Sequence, residues 1–147
     1  RKKYVPHVVE TSIGADRLVL ALLCCAYRVE TILDKDGKED NRTVLGFSPK
    51  IAPVQVAVFP LVKKLRTEAK ELEERLRGAG FRTEFDVAGQ IGKRYRRQDE
   101  IGTPFCVTFD YESLEDGQVT IRERDTMEQH RVPMDGLDQR LRTLLFE

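Results

Sequence analysis

Two stretches of this chain carry residue types that chemistry uses, close enough together to act jointly. The first, VVETSIGADR from Val8 to Arg17, sets a carboxylate (Glu10), a hydroxyl (Ser12), a glycine (Gly14) and a guanidinium (Arg17) within eight residues. On a strand, Glu10 and Ser12 would share one face. Gly14 lets a ligand approach the backbone closely, and Arg17 at the start of a following helix suits a phosphate. A strand-to-helix turn with surface polar groups accounts for the same pattern, and without a GKS or GKT the stretch is not a Walker loop.

The second stretch, GQIGKRYRRQDEIG from Gly89, gathers Lys93, Arg94, Arg96 and Arg97 around Tyr95, with Asp99 and Glu100 directly after. Cations beside an aromatic ring suit phosphate contacts and base stacking, and a carboxylate can accept from the exocyclic amine of cytosine. A solvated helix face whose bases pair with those same acids fits equally well. A further run, TIRERDTMEQHR, spaces Arg122 and Arg124 by two, so that both project from one face of a strand; an outward polar sheet face gives the same alternation.

The elements that must position these residues follow from periodicity. Leu18 to about Val29 is nearly continuously apolar and predicts a helix packed on most of its faces. TILDKDGKEDNRTV then reads as an exposed turn or short insertion, and RTVLGFSPKIAP as a strand-like segment ending in a proline-marked crossing. A boundary near Lys50 divides residues 1–50 from 51–147. Beyond it, PVQVAVFPL predicts a buried strand, and Leu61, Leu65, Ala69, Leu72 and Leu76 mark one face of a helix that Gly78 and Gly80 end. FRTEFDV, PFCVTFDYE, QVTIRERD and MEQHRVPM predict four more strands, IGKRYRRQDEIG a short basic helix, and GLDQRLRTLLF a closing amphipathic helix. Strands joined through helices run parallel, and the last pair, joined by a turn, runs antiparallel. The expected fold is α/β: a mixed five-stranded sheet flanked by three helices.

The 147 residues carry 25 basic and 25 acidic side chains, so the total charge neither demands nor excludes a polyanionic partner. The run LVLALLCCAY is too short to span a bilayer. Cys24, Cys25 and Cys106 are read as reduced, buried thiols, and with His7 and His130 they supply a four-ligand zinc site poorly, so no metal is expected.

Taken together, VVETSIGADRLVLALL, IAPVQVAVFPL and the long stretch from GQIGKRYRRQDEIG through RERDTMEQHRV make the chain resemble the C-terminal part of the dimeric class II glycyl-tRNA synthetases. The resemblance implies that the first stretch is motif 3 of a class II catalytic domain. Arg17 and Gly14 would then bind ATP (with Mg), and Glu10 and Ser12 would hold glycine. Ser12 stands where the general class II motif has glycine, in accord with the glycyl pattern, and Asp16 where that motif often has Glu. From about Ile51 onward the chain resembles a class IIa anticodon-binding domain. That implies that Lys93, Arg94, Tyr95, Arg97, Asp99, Glu100, Asp110, Tyr111, Arg122 and Arg124 line the surface that reads the anticodon loop of glycine tRNA.

The expected whole protein is a cytoplasmic, homodimeric glycine–tRNA ligase with no membrane association. Without class II motifs 1 and 2, the chain alone is expected to bind tRNA and to be inactive, with no cofactor of its own. A non-catalytic nucleic-acid-binding protein on the same scaffold, such as the accessory subunit of mitochondrial DNA polymerase, is the alternative; Glu10, Ser12 and Arg17 argue against it. Prolyl-, threonyl- and histidyl-tRNA synthetases share the domain fold but fit ETSIGADR and RERDTMEQHR less well.

Overall fold

The computed structural model describes residues 3–33 and 37–146. Its centre is a five-stranded sheet in the order β4 (Thr83–Phe85), β3 (Val56–Pro60), β5 (Phe105–Phe109), β6 (Gln118–Glu123), β7 (Gln129–Pro133). β3 pairs in parallel with β4 and with β5. The chain returns to the same end of the sheet through α2 (Arg66–Gly78) and α3 (Ile91–Ile101), which is what parallel pairing requires. β6 and β7 then add antiparallel, and α5 (Leu137–Phe146) closes the chain. The expected mixed sheet is present, with one short helix, α4 (Glu112–Asp116), that the sequence reading did not contain.

The period-two alternation of the strands makes two faces. Val56, Val58, Phe105, Val107, Phe109, Val119 and Ile121 point to one side, where Leu65, Leu72 and Leu76 and the α5 leucines 137, 141 and 145 complete the main core. Ala57, Phe59 and Cys106 point to the other, against Ile91 and Tyr95 of α3. Further along that second face lie Thr108, Thr120, Arg122 and Arg124, because Thr108 and Cys106 sit opposite Thr120 and Arg122 in register.

The first part of the chain departs from expectation in four ways. Tyr4 to Gly14 has no regular secondary structure, so the strand expected around Glu10 and Ser12 does not form; among the described residues no neighbouring strand offers it a ladder. The first helix, α1 (Ala15–Ala26), buries only Ala26, leaving Leu18, Val19 and Leu20 between 50% and 61% exposed. It is apolar but uncovered, not packed on most of its faces. Cys24 and Cys25, on the same helix, are exposed, and Cys106 alone of the three thiols is buried. Finally, the polar segment read as a turn is an antiparallel hairpin of β1 (Tyr27–Leu33) and β2 (Glu39–Leu45), with residues 34–36 outside the described range.

The hairpin is anchored on α3 and on the end of β6, where Arg42 reaches both Asp99 and the Arg124 carbonyl. Gly102 ends α3 in the left-handed conformation (φ +87°), and a Cβ there would lie 2.6 Å from the Phe47 ring and 2.7 Å from the Leu45 carbonyl oxygen. Only glycine satisfies both the backbone angle and this close approach.

Candidate nucleic-acid interface

The carboxyl ends of parallel strands β3 and β5, the start of α3, Thr120 in the middle of β6 and Gln129 at the start of β7 enclose a cleft of about 390 Å³. Leu61, Ile91 and Gly92 form its apolar rim, and Tyr95, Thr108, Asp110, Thr120 and Gln129 supply polar groups. Clefts at this end of an open α/β sheet are where ligands bind, because loops and helix N-termini converge there. Inside it the Tyr95 hydroxyl and the Thr108 hydroxyl lie 2.6 Å apart, and burial raises Tyr95 above the usual phenol range, so the ring stays neutral. Partial burial pushes the Asp110 carboxyl up, but hydrogen bonds from Arg131 Nη1 (2.8 Å) and from Ser113 outweigh it and hold Asp110 below 3.8. Asp110 is therefore an ionised acceptor at neutral pH. Tyr111, beside it, is 51% exposed.

The basic cluster of α3 is divided by the fold. Arg94 is 4% exposed and donates to the carbonyls of Pro60 (2.6 Å) and Gly89 (2.8 Å), tying α3 to the strand end. Arg96 pairs with Asp40 of the hairpin, and Arg97 pairs with Asp86 and donates to the Ala88 carbonyl. Lys93 alone of the four is exposed and without an ion pair to a described residue. Two of the acids are likewise accounted for. Asp99 is 1% exposed, and Glu100 lines an apolar cleft of about 360 Å³ between α1, the hairpin and α3, on the far side from Tyr95 and Thr108.

Asp99 is the centre of a buried ionic knot. Arg122 donates to both its oxygens (2.9 and 3.2 Å), and Arg42 of β2 donates Nε to Oδ2 at 2.8 Å. Arg42 also reaches Glu30 at 2.7 Å and the Arg124 carbonyl, and Arg122 lies 4.8 Å above the Tyr95 ring. Burial disfavours the Arg42 charge, but Asp99 and Glu30 reverse that and raise its pKa above the ordinary guanidinium value. Arg124, 3% exposed, donates to the carbonyl of Gly102 at 2.9 Å and pairs with Asp125. Arg94, Asp99, Arg122 and Arg124 were expected on an open surface. The structure corrects this, because each is buried and hydrogen-bonded to intramolecular partners.

Glu10, Ser12 and Arg17 are exposed, and Gly14 is the residue before α1. Among the described residues no three His, Cys, Asp or Glu side chains are grouped to hold a metal, and no helix is long and apolar enough to cross a membrane.

Thr108, Thr120 and Gln129 were missed by sequence reasoning. Their signal was available: alternation puts Thr108 on the face of Cys106 and Asp110, and Thr120 on the face of Arg122. Gln129 joins that face only through its pairing with Arg122, which no local pattern reveals.

A mixed sheet with a polar cleft at its switch point, and a tyrosine and carboxylate inside, is an α/β ligand-binding domain. Residues 55–144 match the family described as "Anticodon binding domain", and the chain belongs to that family. It is 53% identical over 137 residues to a glycine–tRNA ligase of Staphylococcus epidermidis and 54% identical to one of Staphylococcus aureus. Both alignments cover 93% of this chain but 29% of the relative, so the chain spans under a third of their length. Among solved structures, the RNA-binding domain of threonyl-tRNA synthetase from Cryptosporidium parvum aligns with a TM-score of 0.63 and 25% identity. That alignment covers 69% of this chain and 26% of that one. Prolyl-tRNA synthetase of the same organism aligns with a TM-score of 0.64 at 22% identity, covering 78% and 31%, a likeness of fold.

Proposed function

We propose that this chain is part of a glycine–tRNA ligase and supplies the domain that holds the anticodon loop of glycine tRNA. The observation that carries this is identity of 53% to glycine–tRNA ligases across 93% of the chain. That identity runs through the whole anticodon-binding fold and favours the ligase over a polymerase accessory subunit. The whole enzyme would activate glycine with ATP and transfer it to tRNA, as a cytoplasmic homodimer. Residues 1–50 would belong to its catalytic domain, with Glu10 and Ser12 toward glycine and Gly14 and Arg17 toward ATP once the remaining walls are present.

Glycine anticodons end in two cytosines, whose exocyclic amines need acceptors. Of the acids first considered, Asp110 faces the cleft, while Asp99 is occupied by two arginines and Glu100 faces away. Asp110, Thr120 and Gln129 would read a base edge, Tyr95 and Tyr111 would stack, and Lys93 would meet a phosphate. Arg94, Arg97, Arg122 and Arg124 would act by holding this surface in shape.

The test is binding of the chain to glycine tRNA and to a copy with both anticodon cytosines replaced, across a salt series. Preference for the native anticodon at moderate salt is expected. Equal binding that vanishes steeply with salt would reduce the interaction to phosphate attraction and overturn the anticodon reading.

A further inference from the structure

We infer that Lys63, Lys64 and Arg66, on the β3–α2 connection beside the cleft, form a second phosphate track in addition to Lys93, over which the RNA backbone runs as it leaves the bound base. The inference rests on the anticodon reading above and adds residues and a direction to it.

Most guanidinium groups near the cleft are already used: Arg94 by carbonyls, Arg97 by Asp86, Arg122 by Asp99, Arg131 by Asp110 and Asp116. Lys63, Lys64 and Arg66 are all exposed, and none has an ion pair among the described residues. They lie on a single 3₁₀ turn (Lys63–Leu65) and the first residue of α2. Leu65 is 3% exposed in the core, so this turn is pinned and its cations project outward from a fixed base.

The placement beside the cleft is set by the backbone. Leu61, two residues before Lys63, lines the cleft, and its amide donates to the Phe109 carbonyl at 2.7 Å, next to Asp110. At the start of α3, Ile91 and Gly92 also line the cleft and Lys93 follows them directly. A nucleotide whose base enters a cleft sends phosphates away on both sides of its sugar. Cations with no ion pair among the described residues therefore border the cleft from two elements, the β3–α2 connection and the start of α3. The lysines serve as point charges and the arginine as a forked donor, which suits a backbone contacted for position and not for sequence.

The experiment compares three forms of this chain: the parent, Lys63→Ala/Lys64→Ala, and Lys38→Ala/Lys50→Ala. The last removes the same charge from the hairpin and the crossing before β3. Each is titrated with glycine tRNA and with the cytosine-replaced copy over a salt series, and thermal unfolding checks that all three fold alike. The expected result is a salt slope lower by about 1 to 1.5 for the Lys63/Lys64 form only, since each single-strand phosphate contact contributes about 0.7. Its preference for the native anticodon should be unchanged. If the two double variants lose equally, or the Lys63/Lys64 form keeps the parent slope while the parent still discriminates, the track is refuted and the anticodon reading stands. A parent that does not discriminate sinks the anticodon reading, and the track beside its base cleft with it.

Discussion

Arg42 and Asp99 stand 57 positions apart in sequence, yet their side chains meet at 2.8 Å with 0% and 1% exposure. One belongs to the hairpin and the other to α3, so an ion pair joins the packing of Leu45 and Phe47 on Gly102 in fastening the hairpin to the anticodon-binding domain. Arg122 shares the same carboxylate, which balances two buried cations against Asp99 and the partly exposed Glu30. Removing one member of such a set leaves the others charged and unmatched, which costs about 3–5 kcal/mol. Asp99→Ala is therefore expected to lose about that much stability in urea unfolding followed by circular dichroism. Asp99→Asn should lose most of it, because the amide keeps the shape and not the charge. A loss under about 1 kcal/mol would mean that water or rearrangement satisfies the two arginines.

Gly102 tests the same junction by a different force. Its positive φ and the 2.6 Å approach of the Phe47 ring leave no room for a methyl group. Gly102→Ala is expected to destabilise by more than about 1 kcal/mol, where Gly→Ala at a compatible position stabilises. Gly78, with nothing within 4 Å of its Cβ position and within α2, is the matching control. Gly78→Ala should stabilise by about 0.4–1 kcal/mol. Equal effects at the two sites would contradict the close packing of the hairpin on α3.

Acid should loosen the domain in a defined window. At Asp86, Asp110 and Asp125 burial raises the pKa, but hydrogen bonds and neighbouring arginines outweigh it, and all three lie below 3.8 in the folded chain. Glu73, held by Lys70, Thr83 and Arg77, lies below 4.5 for the same reason. A group with a depressed folded pKa binds its proton more readily when unfolded, so its stabilisation is complete above the unfolded value and is lost as pH falls through the folded one. Unfolding free energy should thus be flat from pH 7 to about 5 and fall progressively below about 4. Arg97→Ala, which removes the partner of Asp86, should make that fall shallower. An acid limb that does not change would place the responsible carboxylates elsewhere.

How far the fold and the site could be read from sequence depends on where each side chain finds its partner. Alternation in PFCVTFDYE and QVTIRERD was enough to place β5 and β6 and to put Arg122 and Arg124 on one face, because period two is a local property. It could not say that this face is covered, since the cover is α3 together with a hairpin from the far end of the chain. The hairpin itself was hidden because its inward positions mix Val44 with Glu30 and Arg42, charged residues that an apolar pattern cannot register. The basic run from Lys93 to Arg97 looked uniform for the same reason. Its partners are Asp40, Asp86 and the carbonyls of Pro60 and Gly89, none of them recognisable as partners until the chain is folded. In α1 the opposite happened: an apolar run states a need for burial and not what meets it, and in this chain Leu18, Val19 and Leu20 stay at least half exposed.

The cleft should separate specificity from attraction. Thr120 and Gln129 face it without belonging to the ionic knot, so Thr120→Val and Gln129→Ala should fold normally. If they read a base edge, each lowers the preference for the native anticodon by about 1–3 kcal/mol of discrimination and leaves the salt slope unchanged. Lys93→Ala should do the reverse, weakening the native and the cytosine-replaced RNA alike and lowering the slope by about 0.7. The two signatures are independent because hydrogen bonds to a base edge release no counterions and a lysine on a phosphate reads no sequence. Titration of both RNAs over salt measures both at once. Discrimination that survives Thr120→Val and Gln129→Ala but is lost in Tyr111→Ala would move base reading out of the cleft to the exposed ring at its mouth, where stacking and not edge recognition would select the loop.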